Sequence, residues 1–216
     1  RGLGDVYKRQ DKTESHVRQP VNHFRAGNRD FIVFGDRLRT YILDRRGNTR
    51  VDVKAYFPKS ERNDYVFDNK GNATDSRIVI TDTAGLVHFI YFNGRHTTMD
   101  MGRFSGDHFF DYKDIAGDRR SEYIFLEESR LQVFKEDKER LYEFDFKHKI
   151  DYRPLYYHFA YNDKKLGIVS REENLIYLIN NDGKIYKGFP LRGNSPFSIG
   201  HFNRNSSTFN LIVGSN

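Results

Sequence analysis

Three His-Phe pairs recur along this 216-residue chain, at 23–24, 158–159 and 201–202. Each lies 8 to 11 residues before an apolar run, marked by Phe31, Ile168 and Ile212. Imidazole is a common metal ligand and a carrier of switchable charge. His23, His158 and His201 are therefore candidate binding residues for a metal or an anion. Metal binding needs ligands that converge in space, and repetition in sequence does not by itself bring them together. The simpler expectation is that each Phe packs between neighbouring sheets while its His hydrogen-bonds a nearby loop. His88-Phe89 and His108-Phe109 fall at other points of the pattern. A second candidate is the aromatic cluster Tyr152, Arg153, Pro154, Tyr156, Tyr157 and Tyr161. Tyr and Arg are typical anchors of binding surfaces, and Tyr152, Arg153, Tyr156 and Tyr157 are the candidates taken from it. Alternation along a strand turns about half of such a cluster toward a neighbouring sheet.

Catalytic signatures are missing. The chain has no G-x-S-x-G elbow, no phosphate-binding G-x-x-x-x-G-K-[ST] loop, no G-x-G-x-x-G after a strand and no H-E-x-x-H. The paired carboxylates Glu127-Glu128 and Glu172-Glu173 fall in inter-strand turns, where solvated side chains are expected. No cysteine occurs, which excludes disulfides, thiolate metal sites and Cys nucleophiles and leaves the redox compartment open. Lys and Arg number 36 against 30 Asp and Glu, a formal charge of +6. The excess is spread along the chain rather than gathered in a basic stripe, so no nucleic-acid partner is expected. No apolar run approaches the roughly 18 residues that span a bilayer. No cofactor is expected either.

The elements that must position the candidates are strands. The chain carries 14 Tyr and 19 Phe but no Trp, and aromatics with Ile and Val favour pleated, half-buried surfaces. Between 158 and 189 the pattern predicts strands at Leu166–Val169, Leu175–Ile179 and Ile185–Phe189. Asn181-Asp182-Gly183 is read as a tight hairpin turn of type I′. The same unit repeats. A seven-residue step joins Phe31 to Leu38, Val79 to Leu86, Ile124 to Leu131 and Ile168 to Leu175, so the anchoring leucines are 48, 45 and 44 residues apart. Three copies then turn on Gly47, Gly94 or Gly183, while the third uses KEDKER instead. A fifth copy opens at Leu211–Ser215.

A period of about 45 residues with four short strands per copy is the signature of propeller blades. A lone sheet of this kind would leave an apolar face bare, which radial stacking covers. The expected fold is all-β, an incomplete β-propeller of about four antiparallel four-stranded blades plus the start of a fifth; a β-sandwich is the alternative. The expected repeats are 23–66, 67–111, 112–157, 158–200 and a partial 201–216. The segment 1–22 is expected to stand outside them as an artefact or a disordered tail. Its first ten residues, RGLGDVYKRQ, resemble translated sequencing-adapter read-through. Both ends look cut, so the chain is read as a fragment whose partners include the remaining blades of its parent.

The stretches DIAGDRRSEYIF (114–125), SIGHFNRNSSTFNLIVGS (198–215) and HFRAGNRDFIVFGD (23–36) resemble the FG-GAP or VCBS-type repeat of bacterial, quinoprotein-like propellers. In that family the loop before the apolar strand often binds calcium, which takes roughly six to eight hard oxygens. By that resemblance Asp114, Asp118 and Glu122 match acidic positions, but Ala116 stands for a ligand and Arg119 for the turn glycine. The equivalent loops RAGNRD, DNKGNATD, AYNDKK and NRNSS hold few carboxylates, so a loop closed by its own hydrogen bonds is expected. Quinoprotein propellers mark their blades with Trp, WD repeats with Trp-Asp and sialidases with an Asp box; this chain has none of these. The resemblance implies a non-catalytic interaction or scaffold module, exported to the periplasm or cell envelope, with a protein or carbohydrate partner. The alternative is a hydrolase or lyase with its site at the channel mouth.

Overall fold

The computed structural model describes residues 13, 15–201 and 209–214, and every regular element among them is a β-strand. Sheet one holds β1 (Asn22–Ala26), β2 (Arg29–Gly35), β3 (Thr40–Leu43) and β4 (Thr49–Val51). Sheet two holds β5 (Val66–Asp68), β6 (Arg77–Thr81), β7 (Val87–Tyr91) and β8 (His96–Met99). Sheet three holds β9 (Phe109–Lys113), β10 (Glu122–Glu127), β11 (Arg130–Phe134) and β12 (Arg140–Asp145). Sheet four holds β13 (Leu155–Ala160), β14 (Asp163–Ser170), β15 (Leu175–Asn180) and β16 (Leu191–Arg192). A two-stranded fifth sheet pairs β17 (Ser198–Gly200) with β18 (Asn210–Ile212). All pairings are antiparallel, and each four-stranded sheet runs in sequence order.

The hairpins within the sheets reuse one turn. At Asp44–Asn48, Asp82–Leu86, Tyr91–Arg95, Lys135–Glu139 and Asn180–Lys184 the first residue's amide bonds the fifth residue's carbonyl. The fourth residue's amide bonds the first residue's carbonyl. That fourth residue has positive φ in every case: Gly47, Gly85, Gly94, Gly183 and, in the KEDKER copy, Lys138 at 71°. This is a type I turn followed by a left-handed residue. Asn181-Asp182-Gly183 is accordingly not type I′, because Asp182 does not take positive φ. A side-chain oxygen at its first or third position closes the tip, as where Asp82 Oδ1 accepts the Ala84 amide at 2.8 Å and Asp182 Oδ1 the Lys184 amide at 3.0 Å.

One expected strand is displaced. Ile185–Phe189 makes only an isolated bridge, Ile179 to Ile185. After it the chain turns through Gly188 at φ 96°, Pro190 offers no amide to a ladder, and β16 forms at 191–192.

The chain divides into two compact units, one ending at Asp107 and the other starting at His108. In the first, sheets one and two share a core of Phe31, Val33, Ile42, Ile78, Ile80 and Ile90, all almost fully buried. Period-two burial along β2 shows why: Phe31 and Val33 face the core while Ile32 and Phe34 are half exposed. A strap at 56–60 ties these two sheets. The Phe57 and Lys59 amides bond the carbonyls of Leu38 (3.2 Å) and Arg37 (3.0 Å), and the Ser60 amide bonds the Thr81 carbonyl at 3.1 Å. The Thr83 amide returns a bond to Pro58 at 3.0 Å. In the second unit, sheets three and four close over Ile124, Leu126, Leu131, Val133, Leu166, Ile168 and Ile179. The opposite face of sheet four packs Val169, Ile176 and Leu178 against Phe197, with Ile199 and Leu211 beside them.

Candidate functional site

His23 lies on β1, where its Nε2 meets Asp30 Oδ1 at 2.8 Å across the hairpin. Arg45 joins the same carboxylate, and the hydrogen bond from His23 together with these charges holds Asp30 below the usual carboxylate range. Phe24 beside it packs into the shared core and stacks on Phe67 of sheet two at 4.9 Å. His158 is exposed on β13. Its neighbour Phe159 meets Phe209 edge-on at 4.9 Å. The His201 ring lies 4.2 Å from that of Phe209, while Phe202 falls outside the described residues, as do 203–207 and Ser215. Each described Phe of the repeat thus reaches the following sheet or the approach to it. Among the described residues no three His, Asp or Glu side chains are placed to hold a metal.

The aromatic cluster is divided between faces. Tyr156 points toward sheet three, where its hydroxyl donates to the Asp114 carbonyl at 3.1 Å. Tyr157, next along β13, points the other way, stacks on Phe197 and donates to the Phe197 carbonyl. Gly167 makes room for it, since a Cβ there would meet Tyr157 at 2.6 Å and Phe197 at 2.7 Å. Tyr152 is half-buried under the Arg171 guanidinium, 5.7 Å from its ring centre, and Arg153 is half-buried.

The acidic loop before β10 is closed on itself. Asp114 accepts the amides of Gly117 (2.6 Å) and Arg119 (3.1 Å) and pairs with the Lys164 ammonium of β14. Glu122 Oε2 accepts the amides of Ile115 (2.6 Å) and Ala116 (3.0 Å). Burial nevertheless raises its pKa, with Asp118 and Asp114 adding to the rise. Asp118 accepts the Arg120 amide at 2.9 Å. Arg119 adopts the left-handed conformation at φ 71° where the repeat resembled would carry glycine. The carboxylates are thus committed to backbone amides and an ammonium. Glu128 and Glu173 lie in turns, Glu128 paired with Lys149 and Glu173 accepting Ser170 and Tyr177 hydroxyls.

No family model matches the chain, and no curated protein matches it. Among solved structures it is similar to BBS1N in the crystal structure of BBS1N in complex with ARL6DN, soaked with mercury, at 12% identity and a TM-score of 0.56. That match covers 89% of this chain and 61% of the other. The lead-soaked crystal of the same complex matches at 11% identity and 0.54, covering 85% and 53%. The chain therefore spans little more than half the length of these structures. The fold is a β-propeller.

Two features of these blades escaped the sequence reading. In the first unit the strap places Phe57 flat on His88 of blade two, with ring centres 3.5 Å apart. His88 Nδ1 lies 2.9 Å from His96 Nε2. Asp82 Oδ2 stands 3.6 Å from His88 Nε2, which favours a proton on that nitrogen and leaves Nδ1 to accept from His96. Burial pushes the His88 pKa down to about 4 despite Asp82 and lowers that of His96 as well, which favours neutral rings at pH 7. The Phe57 ring also meets Lys59, 2% exposed, with its ammonium 5.0 Å from the ring centre. In the second unit a groove of about 470 Å³ opens beside β15 and β18, lined by Phe159, Lys165, Tyr186, Phe189, Leu191 and Phe209. Lys165 is held there by Asp163 and by the Phe159 and Tyr186 rings. The only signal in sequence was the aromatic pair Tyr186 and Phe189 within the segment read as the strand Ile185–Phe189.

Proposed function

We propose that the chain is a non-catalytic protein-interaction module, a propeller of the bacterial FG-GAP or VCBS type, exported, that docks an extended segment of another protein. The observation that carries this reading is the open side of blade four. Tyr186, Leu191 and Phe209 remain 38% to 48% exposed around the groove. Beside them β17 and β18 form a sheet of only two strands among the described residues. Exposed aromatics beside an unpaired sheet edge suit strand addition, in which backbone hydrogen bonds supply affinity and alternate side chains enter pockets. Further support comes from the solved structure of similar fold, which is itself a protein complex, and from carboxylates that are tied up in turns rather than gathered at one mouth.

The test is selection of extended peptides from a displayed random library on the immobilised chain, followed by titration of the selected peptide. Saturable binding that is lost in Tyr186→Asp and Leu191→Asp, with the circular dichroism spectrum unchanged, is the expected result. Absence of saturable binding, or binding indifferent to both substitutions, overturns it.

A further inference from the structure

A polar cleft of about 700 Å³ in the first unit is lined by Arg18, Arg37, Lys59, Glu61, Arg62, Thr83, Gly106 and Asp107. Four cations face two carboxylates there. Arg18 pairs with Glu61 and Arg62 with Asp107 at 2.6 Å, all four on the exposed rim. That leaves the cleft with two positive charges in excess: Arg37, which has no ion-pair partner among the described residues, and Lys59.

Lys59 is the unusual member. It sits 98% buried at the head of the strap, yet its ammonium, which has three N–H donors, finds one weak acceptor, the Asp36 backbone carbonyl at 3.4 Å. The Asp36 carboxylate does not serve it, because Oδ1 accepts the amides of Leu38 (2.9 Å) and Arg39 (2.7 Å) and Oδ2 the Tyr41 hydroxyl (2.9 Å). The Phe57 face below contributes only a cation–π contact. Burying a cation without a direct counter-ion is costly, and here burial lowers the Lys59 pKa to about 8, with Asp36 offsetting part of the fall. The strap's backbone bonds fix Lys59 in this place. An oxyanion entering the cleft would take the two unused N–H donors and the Arg37 fork together.

We propose that this cleft binds a phosphate-type oxyanion, with Lys59 as the buried donor and Arg37 as the outer clamp. Phosphate presents several strong acceptor oxygens to converging donors, and guanidinium matches its geometry in a bidentate manner. A planar carboxylate would satisfy fewer of these groups. The site is separate from the groove of the second unit, so neither reading depends on the other.

The experiment is a titration of the whole chain with inorganic phosphate at constant ionic strength set with chloride. It is followed by calorimetry and by the side-chain ¹³Cε resonance of Lys59, assigned by its loss in Lys59→Met. Expected are saturable binding, a saturating shift of the Lys59 signal, and affinity weakened by roughly tenfold in the surface variant Arg37→Ala. Acetate at the same concentration is expected to give no saturation. A phosphoserine peptide run in parallel distinguishes a free ion from a phosphorylated partner: tighter binding of the peptide assigns the latter source, equal binding the former. No saturable response to either ligand, or phosphate binding unchanged in both Arg37→Ala and Lys59→Met, overturns the proposal. Because Arg37 is exposed, its substitution reads the site even if Lys59→Met disturbs the strap.

Discussion

Lys138 occupies a turn position that glycine fills in four sister hairpins, at φ 71°. A side chain in the left-handed region costs about 1–2 kcal/mol, partly offset because glycine loses more freedom on folding. Lys138→Gly is therefore expected to stabilise the chain by about 0.5–1 kcal/mol, measured as a rise in urea midpoint at constant slope. A fall in midpoint would show that the Lys138 side chain contributes more than its backbone strain removes. The missing glycine was visible in KEDKER, yet nothing in that string says that a lysine would adopt glycine's conformation rather than change the turn. The hydrogen bonds of Lys135 with Glu139 answer that, and they belong to the folded hairpin. Likewise His23, singled out for its repeat position, turned out to face Asp30 seven residues away. Lys59 and His96 drew no notice, and His88 was noted only as falling off the repeat pattern, because segments far apart in sequence assemble their surroundings.

At the scale of elements, hairpins were legible and straps were not. Turn chemistry is local: Asp-x-x-x-Asn or Asn-Asp-Gly between apolar runs carries its own hydrogen-bond partners, so the four-strand repeat could be read directly. Ile185–Phe189 alternates like a strand, but Gly188 and Pro190 withdraw it from the ladder, and alternation alone does not report a lost amide. The strap at 56–60 is the reverse case, short and mixed in composition, yet bonded to two sheets. Beneath it Asn63 is fully buried, and its amide donates to Ser60 Oγ at 3.1 Å and Thr81 Oγ1 at 2.9 Å. Asn63→Leu strips two buried side-chain hydrogen bonds, at a cost of about 2–3 kcal/mol. Guanidinium denaturation should show this; a loss below about 0.5 kcal/mol would mean that the strap does not depend on its polar underside.

For the molecule as a whole, the periodic leucines predicted the number of sheets because stacking is the economical way to hide two-faced strands from water. β14 is buried along nearly its whole length, the outcome expected when a sheet is covered on both faces, here by sheet three and by the fifth sheet. The two-stranded fifth sheet stops short of that condition, and large apolar side chains stay exposed beside it. Tyr186, Leu191 and Phe209 stay exposed around one groove, an apolar surface of the kind that drives association. The isolated chain is therefore expected to show a weight-average mass that rises with concentration in light scattering. Leu191→Lys combined with Phe209→Lys should restore monomer behaviour at the same concentrations. A chain that stays monomeric without these changes would indicate that the patch is too wet or too small to drive self-association.

The strap carries a consequence for how the first two blades are joined. Its amides at Phe57 and Lys59 grip blade one, while its contacts through Ser60 and Pro58 grip blade two. The peptide linkage at 52–54 is thus duplicated by a noncovalent clasp a few residues further on. A break in the chain at 52–54 would therefore leave the two blades still joined through the strap, although Val53 packs against their shared core.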